Sequence, residues 1–175
     1  KQFCVIARST FGLIQQLVYF IHDKKKIYFE GGYNSYSFMN QTVYSIFYLK
    51  QKKNDKITID EIKDFDTINK LEQIAKDTKN QDYLNIIKFI NTYGDYIFDI
   101  NKKIKKHLVN DKKDADIIFT TTHKSKGLEY EQVIMADDFI SKKELVNTKN
   151  KLSYQRANEE LNIYYVAATR AKNVI

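Results

Sequence analysis

Three short, unbroken apolar runs frame this 175-residue chain: Phe3-Cys4-Val5-Ile6-Ala7, Ile117-Ile118-Phe119-Thr120 and Val133-Ile134-Met135-Ala136. Each is too short for a helix and reads as a strand, the first with the profile of a strand buried in a parallel sheet. After the first run, Leu13, Leu17, Phe20 and Ile21 recur at helical spacing, with Ser9 or Thr10 available as the N-cap. Ile27-Tyr28-Phe29 then reads as a further strand closed by Gly31-Gly32. Strand, helix, strand predicts a βαβ unit.

Between residues 36 and 108 the period changes. Val43/Phe47, Ile62/Phe65/Ile68/Leu71, Tyr83/Ile86/Ile87/Ile90 and Ile97/Ile100/Ile104/Leu108 predict successive helices rich in charge, after which the strand signal returns. The expected architecture is therefore α/β, a parallel sheet flanked by helices with an all-helical insertion between its two halves. Residues 1–49 and 115–175 would form the sheet domain and residues 50–114 the insertion. A last helix is expected from about Arg156 to Lys172, its apolar residues lying nearly all round and implying burial. The polar stretch 141–153 reads as a surface loop. In open parallel sheets ligands sit beyond the carboxyl ends of the strands, which is where Arg8, His123 and Asp137 fall.

Composition narrows the chemistry. One cysteine excludes an internal disulfide framework, and Cys4, His22, His107 and His123 are too few for a structural zinc site. Cys4 is expected in the core, and His22 and His107 on solvated helix ends. No apolar run approaches the ~18 to 20 residues that span a bilayer, so no membrane partner is expected. Lys and Arg total 29 against 22 Asp and Glu, a net charge of +7 that favours a polyanionic partner. Only Arg8, Arg156 and Arg170 can supply a planar, permanently charged fork. The start without Met and the strand-like end Asn173-Val174-Ile175 suggest a segment of a longer protein.

Two segments carry the functional signal. Thr120 to Glu129, directly after a strand, combines small hydroxyl residues, His123, Lys124 and Lys126, a donor set suited to phosphate oxygens; a solvated turn with Gly127 at positive φ explains it equally well. The second is Glu159-Glu160-Leu161-Asn162-Ile163-Tyr164-Tyr165-Val166-Ala167-Ala168-Thr169-Arg170-Ala171, where Arg170 needs an anionic partner, either a ligand or Glu159, Glu160 or a distant acid. Asp137-Asp138 could bind a divalent metal, but no third acid stands at suitable spacing, and a solvated loop or a helix N-terminal acid is the better reading.

In order and in residue type, Thr121-Thr122-His123-Lys124-Ser125-Lys126-Gly127-Leu128-Glu129 and Leu161-Asn162-Ile163-Tyr164-Tyr165-Val166-Ala167-Ala168-Thr169-Arg170-Ala171, the latter with one extra residue before Tyr165, resemble motifs V and VI of the UvrD/Rep-type superfamily 1 DNA helicases. Val5-Ile6-Ala7-Arg8-Ser9-Thr10 is similar to motif IV, and Gly31-Gly32 to the double glycine that follows it. The resemblance implies a second RecA-like motor domain, facing an N-terminal RecA-like domain of the same parent across an ATP site. It implies that Arg8 and Arg170 act on the γ-phosphate as arginine fingers, that Glu129, with Gly127 and Lys126 beside it, holds the nucleotide, and that Thr121, Thr122, His123, Lys124, Gly31 and Gly32 lie along single-stranded DNA. It also implies 3′ to 5′ translocation and duplex unwinding in repair or recombination, in the cytoplasm of a bacterium or the nucleus of a eukaryote. The chain departs from the pattern by lacking G-x-x-x-x-G-K-[ST], so the Mg²⁺ ligands are expected on the N-terminal domain and the segment alone should not hydrolyse ATP. Its insertion is shorter than UvrD-type enzymes carry, which with Ala136-Asp137-Asp138-Phe139 places it nearer the F-box DNA helicase branch. A non-catalytic nucleic-acid-binding or scaffold domain of degenerate helicase fold is the alternative, and a helicase-nuclease a third.

Overall fold

The computed structural model describes residues 1–21, 25–36, 38–78, 80–142 and 154–173. His22, residues 143–153 of the expected surface loop, and the closing Val174-Ile175 lie outside them. The chain divides into two compact units, one of residues 1–36 and 106–175, the other of residues 37–105.

In the first unit four strands, β1 (Phe3–Ala7), β2 (Ile27–Phe29), β3 (Ile117–Thr121) and β4 (Val133–Met135), form one all-parallel sheet in the order β2-β3-β1-β4. The α/β architecture expected from the apolar runs is thus present. β1 and β2 are not neighbours, however: β3, which arrives only after the helical stretch, inserts between them, pairing Val5 with Phe119 on one side and Phe29 with Phe119 on the other. Every residue of β3 is buried, as an interior strand requires.

Side chains pack on both faces of the sheet, although the edge strand β4 stays partly open, with Ile134 exposed. On one, helix α1 (Thr10–Phe20) lays Leu13 and Leu17 inward, and its Phe20 ring meets Phe3 at 5.5 Å and Phe119 at 6.4 Å, while Phe119 stacks on Phe29 at 5.6 Å. Burying such a side chain contributes about 1.5–3 kcal/mol. On the other, Cys4, Ile6 and Ile118 pack with Tyr130 and Ala167, so Cys4 is a core residue as expected. Ala167 belongs to the last helix of the chain.

The second unit is helical: α2 (Gln41–Lys50), the single turn α3 (Asp60–Lys63), α4 (Ile68–Asp77) and α5 (Gln81–Tyr93), with most of α6 (Tyr96–His107). Side-chain oxygens cap three of these helices, Asn40 taking Val43 N–H, Thr67 taking Lys70 N–H and Asn80 taking Tyr83 N–H. The Thr67 cap splits the run Ile62 to Leu71, whose apolar spacing suggests one helix, into α3 and α4. The unit's core holds Ile46, Phe47, Leu71, Ile90 and Ile97, with Phe47 and Phe98 edge to face at 4.9 Å. α2 belongs to this unit, so the helical body starts upstream of residue 50.

The last helix, α7 (Tyr154–Ala168), departs twice from expectation. It stops at Ala168, because Thr169 and Arg170 turn out of it and Ala171 bridges to Tyr130. It is also largely exposed: Ala167 is its buried residue, whereas Leu161, Tyr164 and Tyr165 are 45%, 45% and 68% exposed. The sheet covers one side of the helix, and an apolar circumference does not guarantee a second neighbour. Among the described residues no helix is long and apolar enough to cross a membrane.

Candidate functional site

β1 ends at Ala7, and the next residue is held from both ends. The Asp138 carboxylate, just beyond β4, accepts hydrogen bonds from Arg8 N–H at 2.8 Å, Ser9 N–H at 2.7 Å and the Ser9 hydroxyl at 2.7 Å. Ser9 Oγ in turn caps α1 by accepting from Gly12 N–H at 3.0 Å. Asp138 is therefore an acid at a helix N-terminus, where the dipole favours it. The Arg8 guanidinium reaches α7, donating from Nε to Glu160 Oε2 at 3.0 Å and from Nη2 to Glu160 Oε1 at 2.9 Å. These bonds hold Glu160 below the usual carboxylate range and Arg8 above its ordinary value, burial opposing both shifts. The Arg8 side chain is 38% exposed and that of Glu160 19%.

The loop after β3 leaves the sheet at the same end. Thr121 and Thr122 are buried, and Thr122 donates its N–H to Ala7 O at 2.9 Å and its hydroxyl to the same oxygen at 3.3 Å. Thr122 thus ties β3 to β1, its hydroxyl turned to Ala7 O. Ser125 N–H returns to Thr121 O and Leu128 N–H to Ser125 O, making a tight double turn that ends with Gly127 at φ +78°. That conformation favours glycine. His123, Lys124 and Lys126 project from this frame into solvent. Lys124 Nζ lies 3.0 Å from Ser35 Oγ and 4.9 Å from the Tyr36 ring centre, and a Cβ on Gly31 would stand 3.6 Å from it. The exposed Gly31-Gly32 turn, with both residues at positive φ, is therefore brought to the Lys124 loop from 92 residues away in sequence.

The segments that carry Glu129 and Arg170 are bonded to each other ahead of β4. Tyr130 N–H donates to Arg170 O and Lys172 N–H to Tyr130 O, both at 2.9 Å, three residues before β4 begins. Arg170 donates from Nη1 to Leu128 O at 3.1 Å, from Nε to Val166 O at 2.9 Å and from Nη2 to Thr169 Oγ1 at 3.1 Å. Carbonyl and hydroxyl oxygens, not an acid, hold this guanidinium, and three of its five donors are used. Exposed Glu129 lines a cleft of about 510 Å³ with Gln2, Lys112, Tyr130 and Lys172.

Arg8 and Arg170 are held by different partners, Arg8 by Glu160 on α7 and Arg170 by Leu128, Val166 and Thr169. Sequence reading missed Glu160 as a partner of Arg8, considering it only for Arg170; no spacing within α7 signals which arginine it meets. A polar cluster was missed as well. Buried Glu30 accepts from the Tyr130 hydroxyl at 3.1 Å and pairs with Lys112, whose ammonium lies over the Tyr130 ring. His107, at the end of α6, is half-buried, its Nδ1 3.1 Å from Lys25 O.

Among the described residues no group of His, Cys, Asp or Glu is placed to hold a metal ion. The family model of the UvrD-like helicase C-terminal domain matches residues 13–175. The chain is similar to F-box DNA helicase protein 1 of Schizosaccharomyces pombe, 44% identical over 70 residues that make up 39% of this chain and 8% of that protein. It is also similar to F-box DNA helicase 1 of Gallus gallus, 30% identical over 97 residues, 51% of this chain and 9% of the relative. Each match spans under a tenth of the relative's length. No solved structure matches.

Proposed function

From the premise that the chain belongs to the UvrD-like helicase C-terminal domain family, we propose that it is the second motor domain of an ATP-dependent DNA helicase. The observation that carries the reading is the joining of Glu129 to Arg170 across 41 residues by the Leu128, Tyr130 and Lys172 bonds. Glu129, which lines the cleft, offers a carboxylate that can accept from a ribose hydroxyl, and Arg170, tied to the same segment, offers a cation that cannot deprotonate. Glu129 and Arg170, with Gly127 and Lys126 on the adjoining turn, would face ATP held by the N-terminal RecA-like domain of the parent, which would also supply the ligands of Mg²⁺. Arg170 retains two N–H donors for phosphate oxygens, and Arg8 three.

On the turn that follows β3, His123, Lys124 and the neighbouring Gly31-Gly32 turn, backed by Thr121, would follow single-stranded DNA. Glycine lets a phosphate approach the backbone closely, and the cations supply field along the strand. Closure of the two motor domains around ATP would be coupled to a step along DNA, 3′ to 5′, in duplex unwinding during repair or recombination, in the nucleus of a eukaryotic cell. The pairing of Arg8 with Glu160 is the one observation that favours the other reading, a non-catalytic nucleic-acid-binding or scaffold domain in which this arginine is structural.

The two readings part on Arg170→Ala in the full-length protein. A motor loses DNA-stimulated ATP hydrolysis by about 10³-fold or more while nucleotide binding is largely retained. Because Arg170 also bonds Leu128 and Val166, Arg170→Lys is the companion variant: it keeps charge and loses the fork, and is expected to stay folded with most of the rate lost. Undiminished hydrolysis in both variants overturns the motor reading.

A further inference from the structure

Glu160 pairs with Arg8 in a specific way. It takes the Nε and Nη2 edge of the guanidinium, bidentate, at 3.0 and 2.9 Å. The two Nη1 donors and the outer Nη2 donor stay directed away from the carboxylate. An arginine buried end-on would have nothing left to offer a ligand; this one has three donors and a side chain more than a third exposed. Its backbone is fixed separately, by Asp138 on the N–H groups of Arg8 and Ser9. A long side chain with several rotatable bonds is therefore anchored at both ends, and the ordering entropy is met before any ligand arrives.

The anchor is also not local. Glu160 stands on α7, and Arg170 leaves the end of the same helix ten residues on, about 15 Å along its axis. A rotation of α7 against the sheet would move the Arg8 guanidinium and the Arg170 loop together.

We infer that Glu160 is a positioning residue for Arg8: it presets the guanidinium with its free edge toward the transferred phosphoryl group, and through α7 ties that setting to Arg170. The inference rests on the proposed role of Arg8 at the ATP site. The pair is then part of the working geometry, and not a structural clasp or a brake.

The test uses the full-length protein with its N-terminal motor domain, measuring single-stranded-DNA-stimulated ATP hydrolysis and binding of a fluorescent ATP analogue. Glu160→Gln keeps the shape and one acceptor and loses the charge. It is expected to lower kcat by about 10²-fold, the scale of a small misplacement of a reacting group, with KM for ATP and the thermal midpoint largely unchanged. Glu160→Asp, shorter by one methylene, should recover part of the rate. In an Arg8→Ala background, Glu160→Gln should cost nothing more. A rate for Glu160→Gln equal to or above wild type overturns the inference, the second case marking Glu160 as a brake. Losses that add to those of Arg8→Ala, or that follow a lowered thermal midpoint, overturn it in favour of a purely structural pair. Full activity in Arg8→Ala itself overturns the Arg8 assignment beneath it, whereas an inactive Arg8→Ala beside a normal Glu160→Gln overturns the positioning role alone.

Discussion

Arg8 and Arg170 solve one problem, holding a long cationic side chain in place, with different acceptors: a carboxylate for the first, carbonyls and a hydroxyl for the second. Their presence as rare arginines is legible in the sequence, but their partners are not, because each partner lies on an element whose position depends on the whole sheet. The same holds for the groups buried near Glu30. Burial pushes the Cys4 thiol up from 9.0, the Tyr36 phenol from 10.0 to about 12, and the Tyr130 phenol further still. Each raised value means that the folded chain keeps a proton the unfolded chain would release, so stability is full below pH 9 and falls as the pH rises through 9 to 12. The expected slope is about 1.4 kcal/mol per pH unit for each group in play. Chemical denaturation of Tyr36→Phe should show a shallower decline between pH 10 and 12 than wild type. It should also show a loss of about 1 kcal/mol at neutral pH, because the hydroxyl that donates to Glu30 O at 2.8 Å is gone.

Elements were more readable than partners where one local signal sufficed. Ser9 as the α1 cap, the strand identity of β1 and β3, and the Gly31-Gly32 closure all follow from neighbours in sequence. Where a second body had to be present, the reading failed: α7 carries an apolar circumference yet has one covered side, and Ile62 to Leu71 keeps a single helical period across a break imposed by the Thr67 cap. The start of α1 shows what a local signal omits. Gly12 looks like a tolerated small residue, but a Cβ there would stand 2.0 Å from Asp138 Oδ2 and 2.7 Å from Asp138 Cβ. Gly12→Ala must therefore displace the carboxylate that holds Arg8 and Ser9, at an expected cost of about 1–3 kcal/mol despite alanine's better helix propensity. Asp138→Ala added to it should cost less than the sum of the two single changes, since the second removes the clash made by the first. Denaturation midpoints of the two single variants and the double variant check this, and strict additivity would contradict the packing.

For the molecule as a whole, parallel pairing puts the charged and hydroxyl-rich loops after β1 and β3 at one end of the sheet. Under the proposed function the loop after β3 carries the strand of DNA, so Lys124→Ala in the full-length protein should weaken single-stranded DNA binding alike for all sequences. It should also lower the slope of log affinity against log salt by about one ion's worth, roughly 0.7, with ATP binding unchanged. An unchanged salt slope would remove Lys124 from the DNA path. The net charge of +7 alone could not identify that residue, because it is spread over 29 basic side chains.

What this sequence determined by itself is the class of the fold and the kind of motor it resembles: runs of apolar residues set by local period, and short motifs whose residue types carry their own chemistry. Only the tertiary structure decided that β3 would part β1 from β2, that Arg8 would be met by Glu160, and that Arg170 would close on Leu128. The physical reason is range. Periodicity and capping are settled among residues a few positions apart, whereas strand order and the pairing of charges are settled among residues 40 to 150 positions apart, by which surfaces the assembled sheet leaves to be covered.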